Sequence, residues 1–524
     1  MSDHENETRS TNVEGIARRR FLGRAAALGL TTTLAPSLIS EARAADAPRR
    51  GGTLIAGVKG GSTTDSLDPT IVLSQVPNYL VYQFGNRLVA RSVQGPLEGE
   101  LAESWEAEDD AKRWVFKLRK GIQFHNGKEF TSADMVYSLN RHRGPNSKSG
   151  AAGLMKNIDD IKAGGPYELT FLLKASDVNL PYLMTNTQLI AIPADAPPDK
   201  GIGTGPFVVD TAKPGERYTF HRNPHYFKPN VPWVDGVEVV VINDETARLS
   251  ALLSGTVHLI TDVPPLLVDH VKKSGALKVD TATSTLFYYF VMQCDKPPFD
   301  NPNLRLALKY AVDRQSLLKR VLGGYGSVGN DSPINSVYPL FSSDIPVHSY
   351  DPDKAQYYYK KSGHSGPVVL QISDAAFPGA NDAGQVFQQD AAKAGITIEL
   401  KREPADGYWD NVWLKSPFCA SYWGSLSTED EALSQPFLST TPWNDSHWYR
   451  PEFDKLVLAA RSELDPERRK ALYRQAVMMV HDDGGHITLM FSDDITGMTE
   501  KLRGFVGDHF HAGGKNTERC WFSA

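Results

Sequence analysis

Near its start the chain carries Arg18-Arg19-Arg20-Phe21-Leu22, then a largely apolar, uncharged run from Ala25 to Ile39, then Ala42-Arg43-Ala44. A basic cluster, a short apolar segment and a small-residue site together form the pattern of an export leader, cut here near Ala44. The apolar run is fifteen residues long, whereas a helix that crosses a bilayer needs about 20. No later stretch reaches the roughly 18 consecutive apolar residues of a spanning helix. What must fold is therefore residues 45–524, in water and outside the cytoplasm, which excludes helical membrane architectures.

Arg18 and Arg19, one intervening residue and then Phe21-Leu22 resemble a twin-arginine signal, which exports a chain already folded. Ala17 departs from that pattern, which carries Ser or Thr before the pair. The leader holds six arginines and five acids, so its removal moves the formal charge from −6 to −7. A mildly acidic chain is not built to hold phosphate backbones, and nucleic acid is excluded as a partner. No Cys precedes Cys294, so a mature N-terminus has no cysteine to acylate, and a soluble periplasmic product is expected. Cys294, Cys419 and Cys520 are too few and too scattered for a disulfide framework or a Cys-rich zinc site, and can form one bridge at most. With 41% hydrophobic and 10% aromatic residues, the chain after the leader exceeds what one core holds, so two or three lobes are expected.

Period-2 and period-3.6 patterns alternate along the chain, as in a mixed α/β protein. Gly51 to Val58 predicts a strand that ends in a Gly/Ser/Thr loop. Tyr79 to Ala90 predicts a helix. Glu103-Ser104-Trp105-Glu106-Ala107 and Arg113 to Leu118, parted by an acidic turn, predict a hairpin. Thr131-Ser132-Ala133-Asp134 supplies an N-cap and an acidic first turn for a helix through Arg141. A Pro/Asp-rich linker, Pro193 to Lys200, precedes a strand that starts at Gly203-Thr204-Gly205-Pro206-Phe207. Val237 to Ile242 predicts a largely buried strand, Glu245 to Ser254 a helix stopped by Gly255, and Phe287 to Met292 an apolar strand that opens a second lobe. Leu304 to Leu322 predicts one long amphipathic helix ended by Gly323-Gly324, and Asp351 to Lys361 another. No internal repeat occurs.

Several of these segments, in this order, resemble the bacterial extracellular solute-binding proteins of family 5, the receptors of peptide-, dipeptide- and nickel-type ABC importers. The densest likeness runs from Leu101-Ala102-Glu103-Ser104-Trp105 through Phe116 to Gly127 and on to Phe130-Thr131-Ser132-Ala133-Asp134-Met135-Val136-Tyr137-Ser138. Gly51-Gly52-Thr53-Leu54, Gly203 to Phe207, Arg222-Asn223-Pro224-His225-Tyr226, Leu253-Ser254-Gly255 and Phe299 to Arg305 with Ala311-Val312-Asp313-Arg314 are also similar. These residues identify a scaffold, since Trp105, Trp114 and Phe116 suit core positions and the glycines suit turns. The resemblance implies an α/β, two-lobed periplasmic-binding-protein fold of the large peptide-binding type, with an additional subdomain in the first lobe. It divides the chain into a leader at 1–44, first-lobe segments at 45–75, 190–284 and 488–524, an inserted subdomain at 76–189, and a second lobe at 285–487. It also implies lobes joined by crossing strands that close on a ligand like a hinge.

The same resemblance places the ligand. Peptide-binding relatives hold the peptide ammonium with an Asp three residues after a tryptophan. The corresponding loop here is Ala420 to Glu431, where the count from Trp423 lands on Leu426. Glu429 or Asp430 could supply the carboxylate instead. Tyr422 and Trp423 can stack on apolar, planar or cationic ligand parts. Phe377 with Pro378-Gly379, and Tyr408-Trp409, are further candidates, with Ser62 and Thr63 as hydrogen-bond donors and Arg402 as a partner for a ligand carboxylate. His509-Phe510-His511, with His481 and His486, offers imidazoles at a spacing that matches no zinc motif, and no metal or cofactor is called for. Gly-x-Ser-x-Gly and His-Glu-x-x-His are both absent from the sequence, as is the Gly-Lys-Ser/Thr of a phosphate loop. A secreted hydrolase is therefore the remote alternative. The expected function is a substrate-binding component of an ABC importer, without catalysis of its own. Its partners are a peptide or other small molecule and the inner-membrane permease subunits. Peptides are the default cargo, with opine-like conjugates, oligosaccharides or metal and haem complexes as the alternative.

Overall fold

The computed structural model describes residues 47–524 except Leu73, Gln94, Asp109, Ser425, His511 and Ala512. The leader, its cleavage site and His511 lie outside the described residues. In the first half the strands of the two larger sheets are β1 (Thr53–Val58), β2 (Ala102–Ala107), β3 (Arg113–Leu118), β4 (Ile158–Gly165), β5 (Glu168–Leu173), β6 (Phe207–Lys213), β7 (Arg217–Arg222), β8 (Gly236–Val241) and β9 (Leu259–Ile260). Those of the second half are β10 (Leu277–Met292), β11 (Gly326–Val328), β12 (Val368–Ile372), β13 (Ile398–Arg402), β14 (Phe418–Trp423) and β15 (His486–Thr499).

One 11-stranded mixed sheet runs through both lobes in the order β13-β12-β14-β10-β15-β9-β1-β8-β7-β6, with β11 beside β15. The centre of that sheet is the antiparallel pair β10 and β15. Leu277 to Thr283 pair with Asp493 to Thr499, and Phe287 to Val291 pair with His486 to Phe491. Between these stretches Ser284, Thr285 and Leu286 face Ser492 alone, which is a bulge that bends and twists the ribbon. The Ser284 hydroxyl donates to the Ser492 carbonyl at 2.7 Å, and Asn335 donates to the Ser284 carbonyl at 2.8 Å.

The apolar residues divide at that bulge. Phe287 to Met292 and Leu489 to Phe491 pack with Leu370, Ile372, Phe387 and Ala420 in one core. Leu277 and Ile495 pack with Leu249, Ile260 and Val268 in another, and Met498 joins Leu54, Ala56, Val237 and Val239 in a third. The two long strands thus belong to one core at one end and to two others at the opposite end, with the bulge between them. A separate four-stranded antiparallel sheet, β2-β3-β5-β4, has its own core of Trp114, Phe116, Met135, Phe171 and Leu189. The C-terminal tail returns to the first lobe, where Thr517 donates to Gln83 at 2.6 Å and Gln83 donates to the Gly514 carbonyl at 3.0 Å.

Three elements differ from their sequence pattern. The helix read over Tyr79 to Ala90 spans Gln75–Phe84, and Val89–Arg91 is instead a short buried strand. The strand read as starting at Phe287 begins ten residues earlier, at Leu277. Its first half is polar, and Thr281, Thr283 and Thr285 suit a half-exposed ribbon because β-branched side chains favour extended backbone. The pattern from Leu304 to Leu322 forms two helices, Pro302–Tyr310 and Arg314–Leu322. Asp313 ends the continuity by capping the second, accepting from Ser316 N at 3.0 Å, while its own N–H donates to Asp390 at 3.2 Å. All three cysteines are free thiols. Among the described residues no helix is long and apolar enough to cross a membrane.

Candidate ligand cleft

Where the sheet passes from one lobe to the other, a cavity of about 660 Å³ opens between them, within the roughly 300–1,000 Å³ of small-ligand sites. One wall is first-lobe and subdomain structure: Lys59 after β1, Gln75, Asn78 and Tyr82 on the helix Gln75–Phe84, Arg87, Arg91, and Thr185 to Gln188. The facing wall is Leu286 of the bulge with Tyr422, Gly424 and Ser427 at the end of β14, and the tail adds Asp508, Phe510 and Lys515.

Four cations and two carboxylates line this space. Lys59 pairs with Asp262 at 3.1 Å, and Gln75 donates to the same carboxylate at 2.6 Å. Arg87 pairs with Glu100 at 3.2 Å and lies over the Tyr82 ring at 4.3 Å. Burial alone would raise Glu100, but the charges of Arg87 and Lys228 hold it at about 2. Arg91, only 7% exposed, sits over Phe510 at 3.8 Å and Tyr182 at 4.8 Å. Its Nη2 donates across the cleft to the Ser427 carbonyl. Arg91 Nε and Nη1 are buried without a hydrogen-bond partner among the described residues, as is Arg87 Nη1. Lys515 donates to the Arg91 carbonyl, and burial lowers its pKa. The second carboxylate, Asp508, accepts from Phe510 N at 2.7 Å.

Of the residues expected at the ligand, Tyr422 alone lines this cavity, and its ring is 46% exposed. Successive side chains of a strand point to opposite faces. Trp423 accordingly lies between Trp413 at 6.5 Å and Trp443 at 6.1 Å, packed against the second-lobe cores. Glu429 accepts from Leu340 N, and Asp430 is paired with Arg461 at 3.0 Å, both at the start of the helix Glu429–Phe437. Phe377 is buried and stacks on Tyr288 at 4.6 Å. Arg402 is exposed on β13, at the end of the sheet. Ser62 and Thr63 sit in the loop after β1, where Ser62 N donates to Asp65 at 2.9 Å. Tyr408 is buried and donates to the Ala420 carbonyl at 2.8 Å, while the neighbouring Trp409 ring meets Tyr422 at 5.5 Å. Leu426, onto which the sequence resemblance maps an ammonium-binding Asp, is buried with Tyr338, Trp448 and Tyr473 in an apolar core.

The imidazoles considered for a metal are engaged elsewhere. His486 contacts Asp445 at 2.8 Å, and His509 contacts the Thr283 carbonyl at 2.7 Å. His481 forms a group with His348 and Asp482 whose donor atoms lie within 4.8 Å of one another. The two rings stack at 3.9 Å and 10°, so their in-plane lone pairs run side by side and do not converge on one ion.

The residues that sequence reasoning missed are Arg87, Arg91, Lys515 and Phe510. A signal for Arg91 was present: a guanidinium that closes the apolar run Leu88-Val89-Ala90, at the end of what the structure shows as the short buried strand Val89–Arg91. Lys515 and Phe510 carry no such mark, because they reach the cavity only through the fold of the tail.

Two lobes sharing one bulged strand pair, with a cavity at the junction, are the arrangement of a protein that binds a solute between them. The sequence profile of the bacterial extracellular solute-binding proteins, family 5, matches residues 96–445, and the chain belongs to that family. Heme-binding protein A of Haemophilus influenzae is 25% identical over 480 residues, covering 82% of this chain and 85% of the relative. Glutathione-binding protein GsiB of Escherichia coli K12 is 24% identical over 508 residues, covering 91% and 95%. The solved structure of HbpA2 from Haemophilus parasuis superimposes with a TM-score of 0.82 at 20% identity, over 90% of this chain and all of that one.

Proposed function

We propose that this protein is the substrate-binding component of an ABC importer: exported to the periplasm, closing its two lobes over a small peptide-like solute and delivering it to the membrane permease. The observation that carries this reading is the cavity at the bulge of β10 and β15, where rotation of one lobe about the other opens and closes the site without unpacking either core. The protein acts by differential affinity of its closed form for the solute and performs no chemistry on it. The leader, with its paired arginines, supports export of the folded chain with cleavage near Ala44. We also propose the lobe boundaries read from the sequence as its working domain map.

A second reading, the same transport role for a non-peptide solute, is favoured by one observation. Leu426 is buried in an apolar core, so the ammonium clamp of peptide-binding relatives has no counterpart at that position. The relative named for glutathione fits the peptide-like reading and the relative named for haem the non-peptide one. The test is mass spectrometry of solute released from the protein purified from its native periplasm, with small-angle scattering before and after the solute is returned. A small solute held at unit stoichiometry that contracts the particle supports the receptor reading. A protein that carries no solute and keeps one radius of gyration with every solute offered would sink it.

A further inference from the structure

Arg91 is in an unusual state for a buried guanidinium. Of its five N–H groups, only one on Nη2 meets a protein acceptor, the Ser427 carbonyl of the opposite lobe, while Nε and Nη1 have none among the described residues. Its faces are covered by Phe510 and Tyr182, so water does not reach it from those sides. An unpaired buried charge is costly unless something neutralises it. The other cations of the wall are balanced: Lys59 by Asp262 and Arg87 by Glu100, with Lys228 held by Glu518 behind them. Arg91 and Lys515 have no carboxylate within ion-pair distance among the described residues. Asp508 on the same wall is one opposing charge, and its Oδ1 already accepts from Phe510 N. Glu429 and Glu431 behind Ser427 are two more, but they accept from Leu340 N and Ser427 N, and burial raises both pKa values.

Resting on the receptor reading above, we infer that the solute of this cleft carries a carboxylate, which binds at the seam of the lobes against Arg91, with Lys515 beside it and Phe510 and Tyr182 as aromatic walls. The guanidinium takes its charge partner from the solute, because the protein supplies none in contact. Charge-assisted hydrogen bonds to a guanidinium are about twice as strong as neutral ones. Their place between the subdomain and Ser427 makes the acidic group the part of the solute whose capture draws the lobes together. Tyr422 on the facing wall receives the remainder of the solute.

The experiment is titration calorimetry on the purified full-length chain with matched probes: reduced glutathione and its diethyl ester, trialanine and trialanine amide, with maltotriose as a neutral control. At least one acid is expected to bind, with its neutralised partner weaker by tenfold or more. In Arg91→Met that ratio falls below about threefold, and in Lys515→Gln it is reduced less. Esters, amides or maltotriose that bind the wild-type protein as tightly as the acids overturn the inference. That comparison needs no variant, so it holds even if Arg91→Met misfolds. An acid-to-ester ratio that survives in a folded Arg91→Met also overturns it. Scattering separates the two readings. Contraction with neutral solutes alone removes the carboxylate and keeps the receptor, whereas a panel that neither binds nor contracts the particle removes both.

Discussion

Adjacent residues at the end of β14 give two different expectations. Tyr422 presents a half-exposed ring to the cavity, whereas Trp423 lies among Trp413, Trp443 and the second-lobe cores. Tyr422→Ala should therefore weaken solute binding by about tenfold, the scale of one aromatic contact, and leave the melting temperature unchanged. Trp423→Ala should lower unfolding free energy by about 2 kcal/mol, below the full range for a buried tryptophan because its ring is only partly covered. Calorimetric titration and urea unfolding on the same two variants separate the effects; equal losses of affinity would place both rings on the solute. A second expectation concerns His142. Burial first, and then the charge of Arg141, lower its pKa to about 4, and its Nδ1 lies 2.6 Å from the Ser149 hydroxyl. The folded state thus holds His142 neutral while the unfolded chain protonates it at about 6.5. This stabilisation is complete above pH 6.5 and is lost as pH falls from there towards 4. By pH 5 the loss is about 2 kcal/mol. Urea midpoints of His142→Gln and wild type should converge between pH 7.5 and 5, and a constant gap would refute the assignment.

Among the elements, those set by their own short-range chemistry were legible in the sequence. The helix Ser132–Asn140 begins with Thr131 and Asp134 in a reciprocal capping box. Asp351 caps the helix Pro352–Ser362 by accepting from Lys354 N at 2.9 Å. The hairpin of β2 and β3 sets Trp105 opposite Phe116, as alternation requires. What was not legible depends on partners far along the chain. The polar half of β10 is a strand because β15 pairs with it, and nothing local announces that pairing. The division at Asp313 is similar: an amphipathic period continues through it, and the interruption is held by Asp390 from another helix. If the cap holds the second helix in place, Asp313→Ala should lower stability by about 1 kcal/mol. Loss of amide protection should concentrate at the start of Arg314–Leu322, read by hydrogen exchange. Uniform protection across 302–322 would show that the pattern behaves as one helix after all.

At the scale of the whole molecule, the cavity is a product of assembly. Arg91 and Lys515 meet across 424 positions of sequence, and Tyr422 faces them from the other lobe. Motif reading therefore found the scaffold, but of the residues it nominated only Tyr422 lines the cavity, and it missed the charge. The subdomain and the second lobe also touch beyond the cavity, where Val178 N donates to the Arg461 carbonyl at 2.9 Å. Beside that contact lies Asp177, which accepts from Asn179 N at 2.8 Å. Burial first, and the nearby Asp430 carboxylate second, push it up to about 6 against the opposing pull of Arg461. Asp430 is itself raised by burial despite its bonds to Arg461. When the lobes part, Asp177 regains water and an ordinary carboxylate pKa near 3.9. The closed form therefore binds a proton more tightly than the open one, and closure gains as pH falls through about 6. The sign is opposite to that of His142, so the two are separated by what is measured: global unfolding for the histidine, solute affinity for the aspartate. Between pH 7.5 and 5 the Asp177 contribution should tighten solute binding by up to about tenfold, over any titration of the solute itself. Asp177→Asn, neutral at every pH, should bind at pH 7.5 at least as tightly as the wild type does at pH 5 and lose this part of the dependence. A wild-type affinity that is flat, or that weakens, from pH 7.5 to 5 with a solute of constant charge would show that this seam does not open when the solute leaves.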